Sequence, residues 1–311
     1  MGLRVNRAMC VGMSRNFFSI ILLLALVLVL QLFVLVYGHG VAEDAPVHAE
    51  IARLHVRHFL YPDSYEPLAP VVPTYPPFFH LLAVLAFYFV KDLIVSVKLV
   101  GYAAVLAFPL LVFLAASVFS RRAGIIAAFF SVTAVNFAHV YFLGEFPQVL
   151  AMDLLLLFLY FYFKAMYVAA GICLGLASLS HVFIGPFSFL LAAVLLIFDL
   201  CRKNVAALKA VLPSFLILLL WLPRYIVIAA NALSGKWHNT ANYSLSPGLI
   251  GFSTAAEYLS RLNPALVVLS FVGFLVMARQ IFSSKRVSVP QLAMIFLFVT
   301  TAFFTVYHYT P

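Results

Sequence analysis

Charged residues are scarce in this sequence: Asp, Glu, Lys and Arg make up 9% of the chain, whereas an ordinary soluble domain carries about 25%. Hydrophobic residues account for 65%. A water-soluble fold cannot bury this much apolar surface, because it must also present polar and charged side chains to water. Composition therefore excludes a soluble globular domain and predicts an all-α, polytopic transmembrane helical bundle.

Cysteine is also scarce, and a dense basic stripe is lacking. The 3 cysteines lie far apart, so the sequence does not predict a disulfide framework. The 19 Lys and Arg residues give a net charge of +9, but they occur singly or in pairs between apolar runs. Nucleic-acid-binding domains concentrate such residues on one face, so no nucleic-acid partner is expected.

The first apolar run covers residues 17–37 and follows Arg4, Arg7 and Arg15. It is longer than the apolar core of a cleavable signal peptide, which has about 7 to 15 residues. We interpret it as a retained membrane span with a cytoplasmic N-terminus, as the positive-inside rule favours. A long signal peptide is the alternative.

Further apolar runs are long enough to cross a bilayer. They cover residues 93–119, 123–142, 147–163, 166–182, 183–199, 207–231, 263–279 and 288–308. With the first run, they predict about nine spans in a single transmembrane domain over residues 1–311. This topology places the basic pairs Arg121-Arg122 and Arg202-Lys203 in the cytoplasm, in accordance with the positive-inside rule.

The apolar run 77–90 is shorter than the roughly 17 residues that a membrane span needs. We therefore expect residues 38–92 to form an outer loop with juxtamembrane helices that lie in the membrane interface. Most histidines and acidic residues then fall on the non-cytoplasmic face. Either this face carries a functional site, or its loops are longer and hold more polar residues of every kind.

Asp44 and His48 lie in the segment after the first expected span. A helix from Pro46 onward would place Asp44 at its N-cap, where the carboxylate accepts backbone N–H bonds and stays ionised. Such a carboxylate at the membrane surface suits a general base or a metal ligand. An ordinary helix cap on a solvated loop is the alternative.

Three more candidates lie near the expected outer ends of helices. His80 faces either a cavity or the lipid headgroups. Glu145 lies in a short turn between apolar spans, where a charge has a cost unless it is paired or hydrated. His181 lies at the end of another span. If these helix ends converge, Asp44, Glu145 and His181 could hold a divalent metal such as Mg, Mn or Zn.

Arg224 and Lys236 flank a long outer loop over residues 232–262. Cations there could bind a lipid phosphate, or they could be ordinary interfacial anchors.

Asp153 lies inside an expected span and is either a functional group or a partner in a hydrogen bond between helices.

Taken together, these segments resemble the GT-C superfamily of membrane glycosyltransferases, most closely the relatives of dolichyl-phosphate-mannose protein mannosyltransferases. The shared order covers about residues 17–190. It consists of an acidic pair after the first span (Glu43-Asp44), a Tyr-Pro-Pro segment (Tyr75-Pro76-Pro77), a span near Lys98, a cytoplasmic basic pair (Arg121-Arg122) and an outer turn with Glu145 and Pro147.

The resemblance implies an inverting transfer of a sugar from a polyprenyl-phosphate donor to a protein or lipid acceptor on the outer or lumenal face. Asp44 would take the proton from the acceptor hydroxyl, and Glu43 is the second candidate for that role. Glu145 would stand where the family usually has an Asp in its second outer loop. The expected substrate-binding residues are His48, His80, His181, Arg224 and Lys236.

The chain ends directly after the last expected span, whereas many members of the superfamily continue into more helices or a soluble domain. A truncated chain or a reduced member fits this ending. Two other functions stay open. One is a polytopic transporter, although the sequence shows no convincing internal repeat; the other is a noncatalytic scaffold of GT-C type that binds lipid.

Overall fold

The computed structural model describes residues 44–59, 75–133, 146–182 and 184–233, together with residues 25, 29, 288, 290 and 291. This part of the chain is helical and contains no β-strand, which confirms the all-α prediction for it. The helices are α1 (Ala45–His58), α2 (Phe78–Val90), α3 (Leu93–Ser117), α4 (Arg121–Thr133), α5 (Phe146–Phe163), α6 (Tyr167–Ser178), α7 (Ile184–Cys201), a 3-10 helix (Val205–Ala210), α8 (Val211–Leu219) and α9 (Leu222–Leu233).

Three of the described helices, α3, α5 and α7, are long and apolar enough to cross a membrane. They coincide with the expected spans 93–119, 147–163 and 183–199. The chain is therefore a membrane protein, as its composition indicates. Apart from a few single positions, the expected spans 17–37, 263–279 and 288–308 lie outside the described residues, as does the second half of the span 123–142.

Helix α2 has 13 residues, so the prediction of a short helix after the paired prolines is confirmed. One face packs against α1 and α3, while Leu85, Tyr88 and Phe89 on the other face are exposed. The helix ends at Lys91, which adopts the left-handed conformation with φ 64°. Asp92 then caps α3 by accepting a 2.9 Å hydrogen bond from the Val95 N–H.

Two of the expected spans differ from the observed helices. Helix α6 has 12 residues and ends at Ser178, whereas the sequence predicted a span over residues 166–182. The hydroxyl of Ser180 donates to the Leu176 carbonyl oxygen at 2.8 Å, and that of Ser178 donates to the Gly175 carbonyl oxygen. Serine side chains compete in this way with the backbone for helical carbonyl oxygens.

The expected span over residues 207–231 is not one continuous helix. The chain forms a 3-10 helix, then α8, and after a break at Leu220 and Trp221 it forms α9. Pro223 explains the break, because a proline ring clashes with the preceding turn in a helix interior but fits the first turn of a new helix. The side chain of Trp221 is fully buried at this break.

The buried side chains form two main clusters. One joins α1, α2, α3 and α5, and the other joins α5, α6, α7 and the 3-10 helix. Helix α6 approaches the 3-10 helix and α8 closely at two glycines: a Cβ atom at Gly171 would lie 2.2 Å from the oxygen of Ala210 in the 3-10 helix, and one at Gly175 would lie 2.7 Å from the Cβ of Ile217 in α8. Small residues four apart allow this backbone approach in membrane proteins.

Candidate functional site

Helix α1 positions Asp44 directly before its first residue. Asp44 is the N-cap residue, as predicted, and its side chain is exposed. The carboxylate makes no capping hydrogen bond, so that part of the prediction was wrong. Asp44 has helical angles, φ −84° and ψ −6°, rather than the β-region angles typical of a capping side chain. In addition, Pro46 in the first turn has no N–H to donate.

The face of α1 that packs on the protein is rich in alanine. Ala45, Ala49 and Ala52 are buried there, next to Phe79 of α2. Their small side chains let α1 lie close to its neighbours. On the solvent side, Arg53 forms an ion pair with Glu50 one turn earlier. Helix α1 is therefore a docked surface helix.

Two of the predicted substrate-binding residues meet between α1 and α2. Nδ1 of His48 lies 3.2 Å from Nε2 of His80, and both imidazoles are buried. Nδ1 of His80 lies 3.4 Å from the carbonyl oxygen of Pro76. Tyr75 and Phe79 contact the His48 ring edge-on, with ring centroids 5.4 Å and 5.7 Å away.

His55 joins this pair and was missed in the sequence. Its ring stacks on His80 with centroids 5.7 Å apart and an angle of 17° between the planes. Nδ1 of His55 contacts the Phe59 carbonyl oxygen, whereas its buried Nε2 has no hydrogen-bond partner in the described part of the chain. The seven-residue spacing from His48, two turns along one helix face, is the signal that could have revealed it. We call His48, His55 and His80 the histidine cluster.

Burial keeps the histidine cluster neutral at pH 7. Loss of hydration on burial, and then the nearby His181, lower the pKa of His48 from 6.5 to about 3. Burial, and then the neighbouring His48 and His55, hold the pKa of His80 well below 6.5. Burial also lowers the pKa of His55, although its contact with the Phe59 carbonyl opposes this shift. Burial lowers the pKa of His181 to about 4.

Several helix ends meet near this cluster. The Phe78 N–H at the start of α2 donates to the Leu179 carbonyl oxygen after α6 at 2.7 Å. Phe79 stacks on Phe146, the first residue of α5, with ring centroids 6.4 Å apart. The hydroxyl of Tyr225 in α9 donates to the Ser178 carbonyl oxygen at the end of α6. The early acidic segment and the later helix ends therefore lie at one end of the bundle.

Five of the eight predicted site residues lie in the described part of the chain. Asp44 is exposed, His48 and His80 are in contact, and His181 lies close enough to His48 to affect its pKa. Arg224 is half-buried and precedes Tyr225, so it belongs to the same end. The other three predicted residues, Glu43, Glu145 and Lys236, lie outside the described residues.

The structure leaves the predicted metal site open. Asp44 and His181 are described, but the third expected ligand, Glu145, is not. Within the described residues, no group of three or more His, Cys, Asp or Glu side chains is arranged to hold a metal ion. A divalent metal bound by Asp44, Glu145 and His181 therefore stays a prediction.

Two buried carboxylates lie elsewhere in the bundle. Asp199 accepts a 2.7 Å hydrogen bond from the Tyr162 hydroxyl, which joins α7 to α5. Asp153 in α5 is also buried, but its Oδ1 has no hydrogen-bond partner among the described residues. A hydrogen bond between helices was one of the two roles predicted for Asp153, and Oδ1 makes no such bond to the described residues. The pairing of Asp199 with Tyr162 was not predicted from the sequence.

No protein-family model, curated protein or solved structure matches the chain. Its function is therefore argued from its own residues.

Proposed function

We propose that this chain is a membrane glycosyltransferase of GT-C type. It transfers a sugar from a polyprenyl-phosphate donor to a hydroxyl group of a protein or lipid acceptor, on the non-cytoplasmic face of the membrane. The observation that carries the proposal is the position of α1. This helix begins directly after Asp44, and it docks at the end of the bundle where α6 ends and α5 begins. This docking supports one site that combines residues from distant parts of the chain.

The proposed topology has about nine spans, a cytoplasmic N-terminus, and an outer loop over residues 38–92. Four exposed basic residues of the described chain support it. Arg121 and Arg122 begin α4, and Arg202 and Lys203 follow α7, and all four are exposed. They lie at the helix ends opposite the histidine cluster, as the positive-inside rule requires when the cluster is outside.

In the proposed reaction, the Asp44 carboxylate takes the proton of the acceptor hydroxyl. The hydroxyl oxygen forms a new bond to the anomeric carbon of the sugar, and the bond from that carbon to the donor phosphate oxygen breaks. The polyprenyl phosphate leaves with the electron pair. Because the hydroxyl oxygen attacks from the face opposite the leaving phosphate, configuration at the anomeric carbon is inverted. Asp44 suits this role because it is exposed at the start of α1.

Arg224 is the described candidate for holding the donor phosphate. It lies at the same bundle end, and a guanidinium can make two parallel hydrogen bonds to phosphate oxygens. The proposal also includes Glu43 as an alternative base and Lys236 as a second cation. It further includes a divalent metal bound by Asp44, Glu145 and His181. No step above depends on the metal.

The proposal is tested by Asp44→Asn. The purified protein, reconstituted in liposomes with a radiolabelled polyprenyl-phosphate sugar, is assayed for transfer to a hydroxyl acceptor. We expect Asp44→Asn to lower the rate at least a hundredfold, since general bases contribute about 10²- to 10⁴-fold. Glu50→Gln on the same helix is the matched control, and it should retain transfer because the Glu50 carboxylate is already paired with the half-buried Arg53. Unchanged transfer by Asp44→Asn would reject Asp44 as the base.

A transporter is the second candidate function. The break between α8 and α9 favours it, because interrupted helices form the binding sites of many transporters. A transporter would move its substrate across liposome membranes without forming a new glycosidic bond. Uptake without transfer in the same liposomes would support this function and overturn the first. Donor binding with neither activity would indicate the noncatalytic lipid-binding scaffold.

A further inference from the structure

The hydrogen bonds of the histidine cluster determine which ring nitrogens carry protons. A backbone carbonyl oxygen only accepts hydrogen bonds. The 3.4 Å contact between Nδ1 of His80 and the Pro76 oxygen is a hydrogen bond only if Nδ1 carries the hydrogen atom, and this form is the one we infer. Because neutral imidazole has one N–H, Nε2 of His80 is then bare and acts as an acceptor.

The proton position on His80 determines the proton position on His48. The bare Nε2 of His80 lies 3.2 Å from Nδ1 of His48, so this contact is a hydrogen bond only if His48 donates from Nδ1. His48 is thereby held in its Nδ1–H form, although a free histidine in water favours the Nε2–H form. Nε2 of His48 is left with a lone pair. The contact between Nδ1 of His55 and the Phe59 oxygen assigns the Nδ1–H form to His55 as well.

The form of His48 limits what it can bind. A bare, neutral nitrogen accepts a hydrogen bond from a hydroxyl group, but it has no hydrogen atom to offer to a phosphate oxygen. His48 follows Asp44 by one helical turn, so both residues lie on the same side of α1. A ligand beside them that carries hydroxyl groups, such as a sugar, matches this acceptor.

We propose that His80 is a positioning residue: it accepts the Nδ1–H of His48 and so makes Nε2 of His48 a hydrogen-bond acceptor for a hydroxyl of the donor sugar. The sugar as ligand rests on the proposed function, whereas the proton positions do not. His80 itself is buried between His48 and His55. In this proposal His80 acts on the substrate through His48.

Nitrogen NMR of the full chain tests the proton positions. The protein is labelled with 15N-histidine and studied in lipid nanodiscs at pH 7, where protonated and bare ring nitrogens have well-separated shifts. The His48 signals are identified by their loss in His48→Asn. We expect a protonated Nδ1 and a bare Nε2 for His48. A protonated Nε2 in the wild-type protein would overturn the proposal.

Two substitutions of His80 separate positioning from general packing. His80→Asn keeps an amide donor near the position of Nδ1 and lacks an acceptor at the Nε2 position, so His48 should change to its Nε2–H form. His80→Gln can place its amide oxygen near the Nε2 position, so His48 should keep the Nδ1–H form. Exposed His58→Gln is the control and should leave the His48 signals unchanged. The same His48 form in both His80 variants would contradict the positioning role.

The transfer assay tests the ligand. His80→Asn should raise KM for the sugar donor about tenfold, the value of one neutral hydrogen bond of about 1.4 kcal/mol, with a smaller change in kcat. His80→Gln should restore most of this loss. A wild-type protein with the expected nitrogen signals but no sugar transfer would overturn the proposed function and the sugar ligand, while the proton positions would stand. Equal KM values in the two His80 variants, with active enzyme, would overturn only the sugar contact.

Discussion

Nδ1 of His48 lies 3.2 Å from Nε2 of His80, although 32 residues separate them in the chain. The contact joins α1 to α2 inside an apolar interface, where the two rings are 3% and 0% exposed. A hydrogen bond between neutral imidazoles satisfies both buried nitrogens. A second proton on either ring would place an uncompensated charge in this interface, which is costly.

The buried histidines predict that acid destabilises the folded chain. Folding lowers the pKa of His48 from 6.5 to about 3 and also lowers those of His55 and His80. Below pH 6.5 the unfolded chain therefore binds more protons than the folded one. The free energy of unfolding should fall as pH decreases from about 6.5 towards 3, and these groups should add no slope above about pH 7.

Thermal unfolding in nanodiscs between pH 4.5 and pH 8 checks this sign. The midpoint should fall below pH 6.5, and His48→Asn should reduce the dependence because Asn cannot be protonated in this range. His58→Gln should keep the wild-type profile because His58 is exposed. A midpoint that is the same at pH 5 and pH 8 would contradict the neutral cluster.

A larger residue at Gly175 should separate α6 from α8. A Cβ there would lie 2.7 Å from the Ile217 Cβ, so Gly175→Val should cost about 1–3 kcal/mol by overpacking. Unfolding monitored in mixed micelles measures this loss. Val168→Leu on the exposed face of the same helix is the control, with an expected change within about 0.5 kcal/mol. Equal stability of the two variants would argue against the close helix contact.

Removal of the Tyr162 hydroxyl should destabilise the chain, because the buried Asp199 then loses a hydrogen-bond donor. Asp199 accepts its hydrogen bond at 2.7 Å, so Tyr162→Phe should destabilise the chain by about 1–3 kcal/mol through an unsatisfied buried carboxylate. Tyr162→Phe combined with Asp199→Leu should recover part of the loss, because no polar group is then left unpaired. Strictly additive losses in this double-mutant cycle would show that the two side chains are not coupled.

A cysteine at position 44 should react from the non-cytoplasmic side. In a variant with Cys10 and Cys201 changed to serine, Asp44→Cys should be labelled by a membrane-impermeant maleimide added outside right-side-out vesicles, since residue 44 is exposed. Lys203→Cys, at the opposite bundle end, should react only after the membrane is opened. Labelling of position 44 from the cytoplasmic side alone would reject the proposed topology.

Local patterns in the sequence predicted much of the helical layout. The low charge and long apolar runs indicated a helical membrane protein, and α3, α5 and α7 match three of the expected spans. The position of Asp44 at a helix start and the short α2 were also predicted correctly. The early end of α6 and the break before α9 were not predicted, because hydropathy averaged over a span does not register a local interruption of a helix, such as the one at Pro223.

By itself, the sequence determined the membrane setting and the approximate position of most described helices, because hydrophobic length and periodicity are local properties of the chain. Only the tertiary structure decided that His48, His55 and His80 form one cluster and that Arg224 lies at the same end as His181. These contacts and positions depend on which helix faces pack together. Packing follows from the shapes of side chains distant in sequence, such as the alanine face of α1 against Phe79, and no local pattern encodes it.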